Sequence, residues 1–453
     1  MEEKILELIA NKQYGELRKQ LSEMNPADIA VIFEEIPEKE LAVIFRILPK
    51  ELAAEVFVEI DSDMQQLLIE AFSDKELREV MDELFMDDTV DIIDEMPASV
   101  AKRILKQTDA ATRKMINHLL AYPDECAGSI MTTEYIDLKK DMTVDEAFDR
   151  IRKIGFDTET IYNCYVTDRS RHLLGIVTVK DLLLNKKDCI INDIMEENII
   201  YANTLDDQEE VVGLFEKYDV LALPVVDKEN RLVGIITVDD AIDVMQEEAS
   251  EDIEKMAAIL PSEKTYLKTG VFETFKARIP WLLFLMISAT FTGAVISGYE
   301  DKLTQFAALI AFIPMLMGTG GNSGSQSSVT VIRALSLGDI EFEDIWRVIW
   351  KELRVSLVSG IVLGAVNFIK IYLIDYLLLN NLDKSVALPE MIIVCLTLVL
   401  VVIVAKLVGC ILPILAKRIN LDPAVMASPL VTTILDAFSL MIYFGIASVV
   451  LGV

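Results

Sequence analysis

Pro314-Met315-Leu316-Met317-Gly318-Thr319-Gly320-Gly321-Asn322-Ser323-Gly324-Ser325-Gln326-Ser327-Ser328 lies inside a long apolar segment bounded by Leu303 and Leu335. Lipid offers backbone groups no hydrogen-bond partner, so irregular backbone at membrane depth must face protein or a watery cavity. A run of glycines, hydroxyls and amides is a poor surface to show acyl chains. It suits close approach of helix backbones, which small residues allow. It also suits a wall that turns oxygens toward hydrated ions.

Another apolar segment favours ions. Asp436 sits deep in Ser428-Pro429-Leu430-Val431-Thr432-Thr433-Ile434-Leu435-Asp436-Ala437-Phe438-Ser439. Ionisable residues inside spans are costly and mark function by default. Thr432 and Thr433 stand four and three residues before Asp436, so the three share a helical face. Lys406, in the preceding apolar segment, offers a competing reading as a structural ion-pair partner. Asp422, just before Pro423, falls at the inner end of the last span.

A span needs about 20 mostly apolar residues. Five segments qualify, 279–299, 303–335, 354–379, 388–416 and 425–452. Lys264, Lys268, Lys276 and Arg278 precede the first, Arg333, Arg347, Lys351 and Arg354 lie between the second and third, and Lys417 and Arg418 between the fourth and fifth. The other loops carry only Lys302 and Lys384. Positive charge stays inside, which places the amino terminus and everything before the spans in the cytoplasm and the carboxyl terminus outside. No signal peptide is expected, because the first residues are polar and helical.

The net charge of −31 lies wholly before Glu263, since acidic and basic residues balance from there onward. That excludes nucleic acid and anionic lipid headgroups as partners of the first part and suits bound cations or basic partners. Cys126, Cys164, Cys189, Cys395 and Cys410 form no C-x-x-C pair, and His118 and His172 are scattered. A reducing compartment without structural zinc is expected.

Residues 1–127 carry a repeat. Helix-start residues recur every twelve positions at Asn25, Pro37, Pro49, Asp61, Ser73, Pro97 and Asp109, and only Phe85 breaks the series. Seven residues after each position as far as Pro97 comes an apolar pair, from Ile32-Phe33 to Ile104-Leu105. Helices this short are marginal alone and must stack on neighbours, so a superhelical α-helical domain is expected. Asp87, Asp91 and Asp94 share a helical face there.

A longer repeat occupies 128–250. Ile130-Met131-Thr132 returns 64 residues later as Ile194-Met195-Glu196, and Leu173-Leu174-Gly175-Ile176-Val177-Thr178 returns 59 residues later as Leu232-Val233-Gly234-Ile235-Ile236-Thr237. The first copy is therefore about five residues longer in its middle. Each copy predicts strand, helix, two strands and a closing helix. The segment resembles a tandem pair of CBS domains, 128–188 and 189–250, of α/β type. That resemblance implies an adenine nucleotide such as ATP in a central cleft, with Thr178, Asp181, Thr237 and Asp240 as ribose-binding positions. A purely structural pair stays equally open. Beyond it, Asp240, Asp243, Glu247, Glu251 and Glu254 follow helical steps, with Glu248 and Asp252 beside them. Like charges so spaced repel, so this acidic face is either solvated or held by divalent cations such as Mg²⁺, which prefer oxygen ligands and keep several waters.

With these residues on the page, the chain resembles the bacterial MgtE family of magnesium transporters or channels. The resemblance covers nearly the whole chain, and its most specific motifs are Pro-Met-Leu-Met-Gly-Thr-Gly-Gly-Asn-x-Gly-x-Gln and the Thr-Thr-x-x-Asp of the last span. It implies a homodimer in the lipid bilayer of the cytoplasmic membrane, with one pore at the two-fold axis. Asp436, Thr432, Ser428, Asn322 and Gly321 would line that pore for hydrated Mg²⁺, with Asp422 at its inner mouth. Residues 251–270 would be a plug helix connecting to an all-α membrane domain, 271–453, with five transmembrane helices. Regulatory Mg²⁺ would be held by Asp87, Asp91, Asp94, Glu95, Asp219, Asp240, Asp243, Glu247, Glu248, Glu251 and Asp252, closing the pore when cytosolic Mg²⁺ is high. Ser428 departs from the asparagine expected there. Three other readings compete: a channel for Mn²⁺ or Co²⁺, a non-conducting membrane-anchored metal or nucleotide sensor, and an intramembrane aspartyl protease. The protease needs two adjacent carboxylates, whereas Asp422 lies roughly 21 Å from Asp436 along a helix.

Overall fold

The computed structural model describes residues 2–262, 266–299, 307–373, 388–426 and 428–451. They fall into two compact units, Met1–Met245 and Gln246–Val453.

The first unit opens with ten helices between Glu2 and Leu119. From the third onward they start at Pro26, Glu38, Lys50, Ser62, Asp74, Met86, Ala98 and Ala110, one residue after each punctuating position of the repeat. The chemistry of those positions explains the spacing. Asn25, Asp61, Ser73 and Asp109 each accept a first-turn amide through a side-chain oxygen, as good N-caps do. Pro37, Pro49 and Pro97 enter with φ near −60° and have no N–H to leave unsatisfied. The apolar pairs point inward: all are buried from Ile32-Phe33 to Ile92-Ile93, and Ile104 with them. Helices pack on the neighbour two places along, as Pro26–Glu34 does on Lys50–Glu59. Phe33, Phe45 and Phe57 stack edge to face through this core, and Phe72 tilts against the last two.

Two three-stranded sheets follow. In the first, β1 (Ile136–Lys139) pairs parallel with β2 (Asn163–Thr167), which pairs antiparallel with β3 (Leu173–Thr178). The second repeats this with β4 (Ala202–Asn203), β5 (Ala222–Val226) and β6 (Leu232–Thr237). The sequence offsets are strand registers. Lys139 pairs with Thr167, and Asn203, 64 residues on, pairs with Val226. Asn163 pairs with Thr178, and Ala222 with Thr237, both shifted by 59. The helices Val144–Ile154 and Gln208–Tyr218 keep the offset of 64. The extra length therefore lies between Ile154 and β2.

The repeats are clasped reciprocally. A Cβ on Gly234 would sit 2.7 Å from Met131 Sδ, and one on Gly175 would sit 2.8 Å from Met195 Sδ. The Ile-Met of each copy thus packs on the hairpin glycine of the other, next to the bridges Thr132↔Ile235 and Ile176↔Glu196. Glycine is required at both positions by close approach and not by backbone conformation.

The acidic stretch is one unbroken helix, Val238–Met256, of 19 residues. The helix expected over 251–270 instead begins at Val238 and ends at Met256.

In the second unit, four helical segments among the described residues are long and apolar enough to cross a membrane: Val271–Gly298, Phe342–Leu373, Leu388–Arg418 and Pro423–Val450. The glycine-rich stretch forms a continuous helix, Ile313–Ser336, whose polar content keeps it out of that class. The third segment begins nine residues earlier than position 354, where its helix Ile345–Lys370 already carries charge. Leu388–Arg418 is central, packed against Ile313–Ser336, Ile345–Lys370 and the terminal helix Ser428–Leu451.

Candidate functional site

Glycines let the Ile313–Ser336 helix meet the terminal helix at backbone distance. A Cβ on Gly320 would lie 2.6 Å from Ser439 Oγ, and one on Gly321 would lie 2.8 Å from Thr432 Cγ2. Gly324 faces Leu435 and the Ala405 carbonyl, and a Cβ on Gly409 would strike the Gly324 carbonyl. Thr432, Leu435 and Ser439 follow three- and four-residue steps, so one stripe of the terminal helix lies in this groove. Ser325 Oγ stands 3.4 Å from Thr432 Oγ1. The stretch packs backbones closely and leaves hydroxyls beside the face that carries Asp436.

Asp436, one turn beyond Thr432, is half-buried. Among the described residues no ion pair joins it to Lys406. Asn322, beside Gly321, is exposed on the helix surface. Thr433 Oγ1 is spent on the Pro429 carbonyl at 2.9 Å. The side chain of Ser428 lies outside the described residues. The structure thus gathers Gly321, Thr432 and Asp436 along one seam and leaves Asn322 on a separate surface.

Lys406 lines an open cavity of about 650 Å³ with Ser325, Gln326, Thr330 and Glu352. Glu352 is 9% exposed and accepts the Ser327 hydroxyl at 2.6 Å. Sequence reading passed over it. Its signal was an acid at helical depth in a segment whose start was placed too late.

Before the terminal helix, Asp422 is an ion-pair partner. Lys255 Nζ lies 2.8 Å from Asp422 Oδ2 and 2.6 Å from Glu251 Oε1. Burial disfavours the Lys255 charge, but its bonds to Asp422 and Glu251 outweigh that and hold the ammonium above its ordinary range. Asp252 accepts the Ser336 hydroxyl at 3.4 Å, and burial followed by Asp422 raises its carboxyl. Met256 packs with Ile332 and Ala424.

The first unit holds a denser acidic cluster. Asp87 is buried, and burial, then Asp88, Asp240 and Glu159, push its carboxyl up to about 9. Glu159 rises to about 8 through burial and then Asp88, Asp240, Asp239 and Glu134. Asp88 rises to about 6 through burial and then Asp240 and Glu134. Burial also raises Glu134, Asp240 and Asp243. Asp87 Oδ1 and Glu159 Oε2 are buried with no hydrogen-bond partner. Of the expected regulatory residues, Asp87, Asp240 and Asp243 belong to this region, whereas Asp91, Asp94 and Glu95 are exposed. Asp219 is an exposed, left-handed C-cap of Gln208–Tyr218. Glu247 is exposed and Glu248 half-buried on the connecting helix. Asp88, Glu134, Glu159 and Asp239 were missed.

Among the described residues no three His, Cys, Asp or Glu side chains converge closely enough to hold one bare metal ion. The cluster suits a hydrated cation, whose waters reach carboxylates that do not themselves converge. At the nucleotide-type positions, Thr178 with Asp181 forms a capping box on Val179–Leu184, and the Asp240 carboxylate accepts from the Thr237 hydroxyl and amide at the start of Val238–Met256.

Three family models match this architecture: "Divalent cation transporter" (MgtE) over 313–446, "MgtE intracellular N domain" over 24–125, and the CBS domain over 127–187 and 191–247. The chain is 37% identical to the magnesium transporter MgtE of Thermus thermophilus, covering 96% of this chain and 95% of the relative. It is 34% identical to that of Bacillus subtilis, covering 98% and 96%. Among solved structures, the cytosolic domain of the Mg²⁺ channel MgtE in complex with ATP matches with TM-score 0.52 and 35% identity, over 54% of this chain and all of that one. The soluble part of a magnesium transporter matches at 0.51 and 31%, over 55% and 98%. This is a family of transporters and not of enzymes, and the chain belongs to it: it is a member of the MgtE family.

Proposed function

We propose that this protein imports Mg²⁺ across the cytoplasmic membrane through a selective pore that closes when Mg²⁺ binds its acidic cytosolic part. The observation that carries this reading is Asp436, a half-buried carboxylate without an ion-pair partner among the described residues. It is set one turn from the Thr432–Ser325 contact in a wall thinned by glycine. A carboxylate there attracts a cation, and surrounding hydroxyls suit one that keeps its water shell.

In this reading the chain has five spans, with the Ile313–Ser336 helix as the one too polar to face lipid alone. The working division is a superhelical cytosolic domain over 1–127, a CBS pair over 128–250, the connecting stretch 251–270 acting as plug, and a membrane domain over 271–453. Two copies supply two Asp436 carboxylates to one pore. Ser428, Asn322 and Gly321 contribute polar edges or backbone to it.

Regulatory Mg²⁺ would be held by Asp87, Asp88, Glu134, Glu159 and Asp240, and the buried Asp87 Oδ1 and Glu159 Oε2, which have no hydrogen-bond partner, suit a hydrated dication. Asp243, Glu247 and Glu248 would extend that field. Such an ion shifts the pore only if it binds the closed form better than the open one. ATP or a related nucleotide at the CBS pair is supported by the ATP complex of the matched cytosolic domain. The test is Mg²⁺ flux into liposomes holding the purified protein, with Mn²⁺ and Co²⁺ as competitors. Absence of Mg²⁺ flux at low internal Mg²⁺ overturns the reading, and equal flux of Mn²⁺ or Co²⁺ replaces Mg²⁺ selectivity with a general divalent channel.

A further inference from the structure

The connecting helix carries a single basic residue along its last three turns, Lys255, and that residue reaches the membrane helices. Its ammonium lies between Glu251 on its own helix and Asp422 at the start of the terminal segment, at 2.6 and 2.8 Å. The three side chains are 26%, 26% and 34% exposed, so water screens this pair less than it screens a surface one. Asp422 is fixed from its other oxygen by the Ala424 amide at 2.7 Å. Asp252 on the next position approaches Ser336, and Met256 packs on Ile332 and Ala424. The ammonium thus stands where a dication would have to stand to join the same two carboxylates.

We propose that Lys255 is a tethered cation that latches the connecting helix to Asp422 and excludes a divalent ion from that carboxylate. The inference rests on the reading of this helix as the pore's plug. Its physical content is a competition. One ammonium carries one charge on a flexible stem and needs no free ion, so its hold on the joint does not depend on Mg²⁺ concentration. Removing it leaves Glu251, Asp252 and Asp422 facing one another, and only an added cation can then hold them together. Sensitivity to cytosolic Mg²⁺ accordingly resides elsewhere in the wild type, and Lys255 sets how far the plug end is already engaged before any ion binds.

The test uses full-length protein whose five native cysteines are changed to alanine, with Met256→Cys and Ile332→Cys as a reporter of the docked joint. The reporter disulfide should form in EDTA about as fast as in Mg²⁺ while Lys255 is present. With Lys255→Gln it should form roughly fivefold or more slowly in EDTA, recover in Mg²⁺, and lose that recovery when Asp422→Asn is added. The exchange Lys255→Glu with Asp422→Lys should restore ion-independent cross-linking. Equal cross-linking of Lys255→Gln and the parent in EDTA overturns the latch, as does slow cross-linking that neither Mg²⁺ nor the charge exchange restores. Because the readout is a disulfide, an ion-conduction assay that fails leaves it standing. Lys255-dependent cross-linking in a protein that conducts nothing sinks the pore reading and keeps the latch.

Discussion

Glu134 caps a helix that does not belong to its own domain. Its carboxylate accepts the Met86 amide at 2.9 Å, at the one position of the twelve-residue repeat, Phe85, that is neither a proline nor a residue with a side-chain oxygen. The break in the repeat and the acidic cluster are therefore one feature. The helix end left uncapped by its own sequence is capped by an acid of the CBS pair, and that acid brings charge beside Asp88.

Two substitutions separate these roles. Glu134→Ala removes the cap and should destabilise the soluble part by about 1 kcal/mol. Glu134→Gln keeps an acceptor but removes a charge, so in EDTA it should match or exceed the parent in thermal midpoint. Equal destabilisation by both would mean that the cap contributes and the repulsion does not.

The cluster also sets a pH dependence. Asp87 and Glu159 titrate near 9 and 8 in the fold against ordinary values of 3.8 and 4.5. The folded state therefore binds protons that the unfolded chain has released. Stability is fully present below the ordinary values and is lost as pH rises through the folded ones. In EDTA the thermal midpoint of the soluble part should fall steadily from pH 5 to pH 9. Millimolar Mg²⁺ should flatten the slope by favouring the ionised carboxylates. A midpoint rising with pH in EDTA would show the carboxylates to be already compensated.

The glycine wall makes a paired prediction. Gly324→Ala would drive a methyl into Leu435 and the Ala405 carbonyl, whereas a Cβ on Gly318 meets nothing within 4 Å. The first should cost about 1–3 kcal/mol, as overpacking does, and the second should be neutral. Melting of the detergent-solubilised protein checks both. Asp436→Ala should leave this melting temperature near the parent while abolishing Mg²⁺ flux, and normal flux would remove Asp436 from the pathway.

Periodic features were legible because their chemistry is local. Each N-cap of the helical domain satisfies its own helix, so a spacing of caps is a spacing of helices. The offsets of 64 and 59 are registers of paired strands and locate the extra residues to within one connection. The site was less legible. Asp87, Asp91 and Asp94 do share a face, but the other carboxylates gather at the helix's first turn, and of the three only Asp87 is buried. Glu134 and Glu159 come from irregular segments with no period to betray them. Lys255 is one base among many acids in the sequence. Only the fold shows that it faces Asp422.

That pairing divides the connecting-helix acids into two sets with different expected effects. Asp243 is raised by burial and then by Asp239, so its carboxylate belongs to the field a regulatory cation would relieve, and Glu247 lies one turn further along the same helix. Glu251 is committed to Lys255. In the proposed function, Asp243→Asn with Glu247→Gln removes oxygens that would hold an ion only in the closed form. It also relieves repulsion, but across exposed surface that term is screened within about 8 Å at physiological salt. The lost sites should therefore dominate, and the double variant should conduct at Mg²⁺ levels that silence the parent, with pore selectivity unchanged. Glu251→Gln should act differently. It takes one of two anions from Lys255, loosening the docked end without removing a Mg²⁺ site, so the open fraction should rise by a similar factor at every Mg²⁺ concentration. Single-channel recording over a Mg²⁺ titration distinguishes a shifted midpoint from a raised baseline. A midpoint shift in Glu251→Gln as large as in the double variant would place Glu251 among the regulatory ligands, and an unshifted midpoint in the double variant would reduce Asp243 and Glu247 to solvated surface.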